Sequence, residues 1–260
     1  NGQLKPAYNL QHGVDSEYII WLTIGPQPTD TATLIPFLKE AEKYLNFKYK
    51  NITTDAGYES EENYLFLETN GQLSYIKPAN YEISKTRKYK NDIGNVENMK
   101  YDADTDVYIC RNDKKLAVDG IRRMKTRTGY TSEKTIYKCE DCTGCPYKTD
   151  CIKGNNCKTP LEARTKVLQV GKRFLKYRQA DLERILSKEG ILFRTNRSIQ
   201  AEGSFGDLKQ DMQFRRYFSK GTSNVLAESI LLAMARNINK LHNKIQKDKT
   251  GTHLFPVKSA

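Results

Sequence analysis

The sequence predicts an α/β fold that is interrupted by a cysteine-rich insertion. Runs of β-branched and aromatic residues alternate with helical periodicity up to about residue 78, and helical periodicity returns after residue 165. Between these regions, residues 80–160 are dominated by Lys, Asn, Asp and Tyr, and the cysteines crowd there. The first and last regions therefore predict one core, and the middle region predicts a separate subdomain.

The first region reads as strand, strand, helix, strand, helix, strand. Residues 7–24 contain two apolar runs broken by a Gly and an Asp-Ser pair, which is typical of a hairpin. GPQPTD ends the hairpin, and residues 31–45 place Leu and Ala at helical spacing behind a polar cap. A strand at 49–58, a helix at 59–68 and a short strand at 71–78 follow. This order predicts a sheet with helices packed on it.

The last region predicts mainly helices. A helical pattern covers residues 165–187, the Glu189-Gly190 pair is expected to end it, and the short run ILF leads into a predicted helix that holds Glu202. The final helix, from Asn224 to Ile245, is expected to close the core through an apolar stripe. The stripe consists of Leu226, Ile230, Ala233, Ile238, Leu241 and Ile245. The predicted division is 1–79 for the first part of the core, 80–164 for the insertion, 165–247 for its completion, and 248–260 for a tail.

The charge balance favours a polyanionic partner. The chain of 260 residues has 43 Lys and Arg against 31 Asp and Glu, a formal net charge of +12. Such an excess favours salt-sensitive binding to nucleic acid, although a basic enzyme without such a partner would show the same composition.

Targeting signals are not evident. No segment reaches the roughly 18 to 20 apolar residues that span a bilayer, and no signal peptide is recognisable. Cysteines crowded into one basic segment favour a reduced metal site over disulfides, so we expect a cytoplasmic protein. The chain begins at Asn1 without an initiator Met, from which we expect a fragment.

Two acids stand out as candidates for a metal site. Asp55 ends a β-branched run and precedes a small-residue turn, which is expected to expose its carboxylate at the sheet edge. Glu202 lies among Arg194, Arg197 and Lys209, and seven residues place Glu202 and Lys209 on one helical face. The alternatives are that Asp55 caps the next helix and that Glu202 pairs with a neighbouring cation. The pattern indicates a nuclease-like site.

The cysteines form a second candidate site. CEDCTGCPYKTDC supplies overlapping CxxC pairs, with Cys110 before it and Cys157 after it. Four thiolates in this spacing suit a tetrahedral structural zinc ion. An iron–sulfur cluster uses similar ligands, and reduced cysteines in a small core are the remaining alternative. A zinc ion held only by cysteines has no open position, so the expected role is structural.

The acid motifs resemble those of a known family. TTDAGYESEE and RSIQAEGSFGDLK are similar to the second and third catalytic motifs of bacterial insertion-sequence transposases of the Asp-Asp-Glu superfamily, which have a ribonuclease H-like core. KPAYNLQHGVD, GPQPTDTATLIPFL and the cysteine-bearing insertion fit the same family in the same order. The resemblance implies a ribonuclease H-like mixed sheet with flanking helices.

The resemblance also implies residue roles. Asp55 corresponds to the second catalytic Asp, Glu202 to the Glu and Lys209 to the Lys that follows it. Thr195 and Ser198 occupy the positions where such families carry Tyr and Arg. Arg194 and Arg197 lie one step out of register, and both are expected to contact DNA.

The first catalytic Asp of the family has no counterpart in this sequence. Asp15 and Asp30 are nearby acids, but neither occupies a first-strand position. The complete site would hold two Mg²⁺ ions between three acids. With Asp55 and Glu202 alone, we expect weak binding of one metal ion and DNA cleavage near background.

Further ligands and contacts follow from the resemblance and from the basic stretches. The implied zinc ligands are Cys110, Cys142, Cys145 and Cys151, with Cys139 as a substitute ligand and Cys157 as a free thiol. DNA contacts are expected at two clusters. One cluster is Arg122, Arg123, Lys125 and Arg127, and the other is Arg215 and Arg216, continuing to Lys220. His12, His242 and His253 receive no role.

The expected function is metal-dependent DNA strand cleavage and strand transfer at the ends of a mobile element. The partners implied are double-stranded DNA and a second copy of the chain. The alternatives are a zinc-containing DNA-binding remnant without catalysis, and a nucleic-acid adaptor unrelated to transposition. Separation of Asp55 from Glu202 in space would support the adaptor.

Overall fold

The computed structural model describes residues 7–154 and 157–251 and shows a mixed α/β protein. The chain divides into two compact units. Unit 1 comprises residues 1–77 and 180–260, and unit 2 comprises residues 78–179. The predicted insertion, 80–164, thus falls within unit 2. No described helix is long and apolar enough to cross a membrane.

The beginning of unit 1 confirms the element order predicted for residues 7–78. A two-residue turn, Ser16 and Glu17, joins the first two strands, and both residues have positive φ. Such turns match the twist of a hairpin. The elements are β1 (Asn9–Asp15), β2 (Tyr18–Gly25), α1 (Leu34–Leu45), β3 (Asn51–Thr54), α2 (Glu61–Thr69) and β4 (Leu73–Ile76).

The strands of unit 1 do not form the single mixed sheet that the sequence predicts. β1 and β2 form an antiparallel pair, β3 and β4 form a parallel pair, and no ladder joins the two pairs within the described residues. The parallel pairing follows from α2, which crosses over between β3 and β4. Periodicity predicts where strands lie, whereas their partners depend on contacts distant in sequence.

Unit 2 is built on a five-stranded antiparallel sheet in the order β5-β6-β7-β8-β9. Its core contains Tyr108, Leu116, Tyr137 and Leu168. The sequence predicts frequent turns here rather than long central strands, because the outward side chains of those strands are mostly polar. The elements are α3 (Arg87–Lys90), β5 (Lys100–Asp102), β6 (Val107–Ile109), β7 (Lys115–Lys125), β8 (Thr131–Cys139), α4 (Lys148–Cys151) and β9 (Val167–Val170). The next helix, α5 (Lys172–Leu186), begins in unit 2 and ends in unit 1.

The helical pattern predicted for residues 165–187 therefore contains a strand, β9, before α5. The expected helix end at Glu189-Gly190 is also wrong, because α5 ends at Leu186 and α6 (Lys188–Arg197) begins directly afterwards. The Ser187 hydroxyl caps α6 by accepting from the Gly190 N–H at 3.0 Å. A Cβ atom on Gly190 would lie 2.0 Å from the Arg184 carbonyl oxygen, so this glycine permits a close approach to the end of α5.

The segment that holds Glu202 is an irregular helical run. After α6, residues 198–202 form a π-helical turn, α7 (Gly203–Gly206) follows, and residues 207–211 form a second π-helical turn. Such turns are rare and occur frequently at functional sites. They widen the helix, so the regular spacing assumed for Glu202 and Lys209 does not hold.

The final helix is α8 (Thr222–Gln246). The face that it packs against the rest of unit 1 is not the apolar stripe that the sequence predicts to be buried. The buried residues are Val225, Ser229, Ala233, Arg236 and Lys244. Of the predicted stripe, Ala233 is buried, Leu226 is partly buried, and the four Ile and Leu residues that remain are exposed. The reason is polar bonding to the β1–β2 hairpin: the Arg236 side chain donates to the Glu17 carbonyl oxygen, and the Asn237 amide donates to that of Ile19 at 2.8 Å.

Candidate functional site

Asp55 lies directly after β3, as predicted, and both of its carboxylate oxygens have partners. Oδ1 accepts from the Gly57 N–H at 2.9 Å and closes a short 3-10 turn. The next helix has its own cap, because the Ser60 hydroxyl accepts from the Asn63 N–H at 3.1 Å. Asp55 therefore does not cap α2, and its Oδ2 faces another element.

That element is α6, because Arg197 Nη2 lies 3.2 Å from Asp55 Oδ2. Arg197 is the last residue of α6 and directly precedes the π-helical turn that ends at Glu202. The structure thus joins the two acid-bearing motifs, which lie far apart in the sequence. The Asp55 side chain remains 44% exposed, so a ligand from solvent can reach it.

A second carboxylate, that of Asp30, lies beside Asp55. A Cβ atom built on Gly57 would be 2.9 Å from Asp30 Oδ2 and 3.1 Å from Asp55 Oδ1, so a larger residue here would displace these carboxylates. Asp30 Oδ1 accepts from the side-chain amides of Asn9 at 2.7 Å and Gln11 at 3.2 Å. The sequence identifies Asp30 as an acid but does not predict that it lies beside Asp55. The feature that could have indicated a role for Asp30 is its position just after GPQPT, at the start of a short helix.

The phenol of Tyr58 lies near Asp30, Asp55 and Arg197. Burial raises the pKa of its phenol, and the carboxylates of Asp30 and Asp55 raise it further, whereas Arg197 acts in the opposite direction. The phenol is therefore neutral at physiological pH. Asp30, Asp55 and Arg197 are therefore the charged groups that act on this phenol.

Glu202 is exposed, and its Oε1 accepts from the Ser198 hydroxyl at 3.0 Å. It forms no ion pair with Arg197, which binds Asp55, or with Lys209, whose Nζ lies 5.7 Å from the Phe205 ring centroid. Asp55 and Glu202 thus contact neighbouring residues of one helical run but share no partner. Among residues 7–154 and 157–251, no three acidic, His or Cys side chains are grouped so as to hold a metal ion.

His12 joins the β1–β2 hairpin to the same helical run. Its ring stacks on Phe205 at 4.2 Å, and its Nδ1 lies 3.1 Å from the Ser204 hydroxyl, which itself donates to the Ala201 carbonyl oxygen. Burial, and then the charge of Arg236, lowers the pKa of His12 to about 4. The ring is therefore neutral and structural, a role that the sequence did not reveal. His242 is exposed, and His253 lies outside the described residues.

The basic residues near Glu202 differ in their surroundings. Arg194 donates to the Ile185 carbonyl oxygen at 3.3 Å, so part of its guanidinium binds the end of α5. Arg215 and Arg216 are exposed in the segment that links the helical run to α8. All of these residues belong to unit 1.

The residues of unit 2 that the sequence predicts as DNA contacts lie on the β7–β8 hairpin. Arg122 stands directly opposite Lys134 in the ladder, and like charges in this position repel each other. Arg123 pairs with Glu133 at 2.7 Å. Lys125 and Arg127 are exposed at the hairpin end.

Five cysteines surround one small cavity in unit 2, of about 20 Å³. A space of this size holds one water-sized particle. The Lys166 N–H donates to Cys142 Sγ at 3.4 Å, and Cys139 is also part of the hydrophobic core, where burial raises the pKa of its thiol to about 12 and the neighbouring Cys142 adds to this. Cys157 is exposed and does not line the cavity. The lining cysteines are Cys110, Cys139, Cys142, Cys145 and Cys151.

Comparison with known proteins agrees with the motif resemblance. Residues 109–242, just over half of the chain, match the family model described as Transposase DDE domain. The chain therefore belongs to this family of transposase domains, and the resemblance to Asp-Asp-Glu transposases is confirmed. The matched range includes Glu202 and Lys209 but not Asp55. No curated protein and no solved structure matches the chain.

Proposed function

We propose that this chain supplies Asp55 and Glu202 to a transposase active site that cleaves and joins DNA at the ends of a mobile element. The observation that carries the proposal is the Arg197–Asp55 ion pair, which joins the Asp55 turn to the helical run of Glu202. In this account Lys209 follows Glu202 as a contact to the DNA backbone. Enzymes of this family act with a divalent metal ion such as Mg²⁺.

The surroundings of Asp55 hold its carboxylate in one orientation, with one oxygen facing a cation. The Gly57 N–H fixes Oδ1, and Oδ2 faces the Arg197 guanidinium. An incoming divalent ion would compete with this guanidinium, which would then be free to bind a phosphate oxygen. When bound, Mg²⁺ activates the attacking oxygen and stabilises the leaving oxygen.

The described residues do not complete a metal site. Asp55 and Glu202 provide two carboxylates, and the first catalytic Asp of the family is matched by no residue of this sequence. We therefore assign no metal geometry, and we expect cleavage near background from this chain alone. The expected second Mg²⁺ ion depends on that third acid.

DNA binding is proposed at two sets of cations. In unit 1, the half-buried Arg197 and the exposed Arg215 and Arg216 belong to or follow the helical run of Glu202, with Arg194 as a partial contact. In unit 2, the repulsion between Arg122 and Lys134 would be relieved by phosphate. Arg123 and Lys125 lie on the other face of the hairpin, and Arg127 follows at its end.

We propose a structural zinc ion at the five-cysteine cavity. The support is the convergence of five thiols on a space of one small particle and a backbone N–H aimed at Cys142 Sγ. Such N–H groups stabilise thiolates, which are the form that binds zinc. In the described geometry these thiols are not arranged as a ligand set, so the proposal requires small side-chain rotations on binding.

The second candidate function is DNA binding without catalysis, as in a remnant of a transposase. The specific observation in its favour is that no three acids are grouped among the described residues. The test is to read the source genome upstream of the codon for Asn1. An in-frame strand that bears an Asp, together with paired terminal inverted repeats outside the gene, would support catalysis. A stop codon or unrelated sequence would support the remnant.

A further inference from the structure

The outer part of the β7–β8 hairpin projects from the sheet of unit 2 as a two-stranded ribbon. β9 pairs with β8 as far as Thr135, and β6 pairs with β7 as far as Leu116, so no third strand of the described chain borders the hairpin beyond these points. Four cross-strand pairs, from Arg122 to Lys125 on β7, form this ribbon. Every residue from 121 to 129 is exposed.

A closed turn, residues 126–130, forms the tip of the ribbon. The Thr126 N–H donates to the Tyr130 carbonyl oxygen at 2.8 Å, and the Gly129 N–H donates to the Thr126 carbonyl oxygen at 3.1 Å. The Thr126 hydroxyl donates to the same Tyr130 oxygen at 3.1 Å and lies 2.7 Å from the Thr128 hydroxyl. Gly129 has a φ of +92°, which favours glycine. The turn is therefore held by its own hydrogen bonds.

The beginning of α5 holds the same turn from outside. Arg173 Nη2 donates to the Tyr130 hydroxyl at 2.7 Å, and the Arg173 guanidinium lies 5.7 Å from the centre of the Tyr130 ring. Both residues belong to unit 2. A turn that is already ordered loses little conformational entropy when it binds a ligand.

The charged side chain of this turn is Arg127, which lies between the two threonines. It is exposed and forms no ion pair with a residue in the described part of the chain. Arg123, by contrast, pairs with Glu133 at 2.7 Å on the strands behind the tip. The ribbon therefore ends in one guanidinium that is available to an anion.

We propose that Arg127 enters the minor groove of duplex DNA and that the hairpin thereby prefers A·T-rich sequence. The minor groove is about 6 Å wide, which admits a side chain but not a two-stranded ribbon. It is narrow in A-tracts, where its enhanced negative potential attracts basic side chains. A guanidinium suits this place because it is more weakly hydrated than an ammonium group. Because it rests on the proposed DNA binding by unit 2, this role adds a groove and a base preference to that function.

The cations behind the tip suit the phosphates beside that groove. Arg122 and Lys134 stand opposite each other, and Arg122 lies five residues before Arg127, roughly 16 Å along an extended strand. They can therefore contact the backbone while the tip lies in the groove. Phosphate contacts position a protein on DNA but do not read its sequence. The base preference would therefore come from Arg127.

Entry of the whole ribbon into the wider major groove is the alternative. Near the tip, one face of the ribbon carries Lys125 and the Arg123–Glu133 pair, in which the carboxylate already occupies the guanidinium. The other face carries Met124 and Ser132 there, and the Ser132 hydroxyl donates to the Met124 carbonyl oxygen at 3.4 Å. A major-groove reader needs several donors or acceptors along one face, so the single guanidinium at the tip favours the minor groove.

The test compares the affinity of the full chain for three duplexes that differ only in a central tract. The tracts consist of A·T, G·C or hypoxanthine·cytosine pairs. A hypoxanthine·cytosine pair has the major-groove groups of G·C, but it lacks the guanine amino group and so resembles A·T in the minor groove. Fluorescence anisotropy should show similar affinities for the A·T and hypoxanthine tracts, each about tenfold tighter than for the G·C tract.

Two variants assign the preference to one side chain. Arg127→Ala should bind the three duplexes with similar affinity and should bind the A·T tract about tenfold more weakly than the parent chain does. Arg123→Ala, which changes an exposed arginine of the same hairpin, is the control and should keep the preference. Melting temperatures check that each variant is folded.

Three results would overturn the proposal. They are a parent chain without a preference, a hypoxanthine tract that binds like the G·C tract, and a preference that survives Arg127→Ala. In each of these the chain still binds duplex DNA, so the proposed DNA binding stands. A parent chain that binds none of the duplexes would overturn the proposed DNA binding as well, and the two failures are therefore distinguishable.

Discussion

At the scale of single residues, the account depends on the contact between Asp55 and Arg197. The two side chains are partly exposed, and a pair of this kind contributes little to folding. Removing the pair is therefore expected to have little effect on folding. In the proposed mechanism, the Arg197 guanidinium would exchange a carboxylate for a phosphate when a metal ion binds Asp55.

The first prediction separates these roles. Arg197→Ala should change the free energy of unfolding by less than about 1 kcal/mol but should weaken DNA binding about tenfold, because the variant no longer has a guanidinium to bind phosphate. Urea denaturation and fluorescence anisotropy measure the two quantities. Lys48→Ala, which removes a comparable exposed pair with Glu42, should affect neither. A large loss of stability with unchanged DNA affinity would make Arg197 a structural residue.

The second prediction concerns His12. Its pKa falls from 6.5 in the unfolded chain to about 4 in the folded one, so the unfolded state binds more protons between these values. The stability that comes from the neutral ring is complete above pH 6.5 and is lost as the pH falls toward 4. The loss is at most about 3 kcal/mol.

The measurement is the free energy of unfolding of the parent chain and of His12→Gln between pH 7 and pH 4. The difference between the two should shrink as the pH falls through this window. Other groups that titrate in both proteins cancel in this difference. A pH-independent difference would show that the ring is not held in its neutral form.

At the scale of elements, the β7–β8 hairpin gives the third prediction. Arg122→Glu combined with Lys134→Glu should reduce the slope of log affinity against log salt by about 2, because each substitution removes one cation of the pair that is proposed to bind phosphate. Lys100→Glu combined with Lys138→Glu places the same charge change elsewhere on the same sheet and serves as the control. Equal slopes for the two double variants would exclude specific DNA binding by the hairpin.

The cysteine cavity gives the fourth prediction. The purified protein should contain about one zinc ion per chain, and a chelator should lower its melting temperature, since a structural zinc ion contributes folding energy. Cys142→Ser should lose most of the metal. Cys157→Ser, which changes the exposed cysteine outside the cavity, should retain it. Metal-free parent protein with an unchanged melting temperature would remove the zinc proposal.

Element order was readable from the sequence where the side-chain pattern alternates clearly. The strands of residues 7–78 are short runs rich in β-branched and aromatic residues, and Gly, Pro, Asp or Asn residues bound them, so their places are visible. The sequence did not predict strands β7 and β8. Most of β7 is exposed and both of its faces carry polar residues, so it lacks the alternation of apolar and polar residues that marks a strand. The π-helical turns around Glu202 also have no sequence signal, because they depend on how the widened helix packs.

The candidate site could be predicted from the sequence only in part, where a local pattern indicates the position of a side chain. Asp55 was identifiable because a strand followed by a small-residue turn exposes a carboxylate. The proximity of Asp30 and the ion pair with Arg197 could not be predicted, since they depend on tertiary contacts. The apolar row of α8 is recognisable in the sequence, but its pattern predicts a place in the core, whereas polar residues such as Arg236 and Asn237 form the inward contacts.

At the scale of the whole molecule, the proposed roles are divided between the two units. Unit 1 holds Asp55, Glu202 and one set of cations proposed to bind DNA, and unit 2 holds the basic hairpin and the cysteine cavity.

The central claim is that Asp55 and Glu202 act together on one phosphodiester bond. The most direct measurement is Mg²⁺-dependent cleavage of element-end DNA by the protein encoded by the complete reading frame, compared with Asp55→Asn, Glu202→Gln and the double variant. Each single variant should lose about 10³-fold or more, and the double variant should be no worse, because the two acids act as a unit. Asp15→Asn, at the end of β1, is the control and should retain activity. Cleavage by Asp55→Asn or Glu202→Gln at the level of this control would contradict the account.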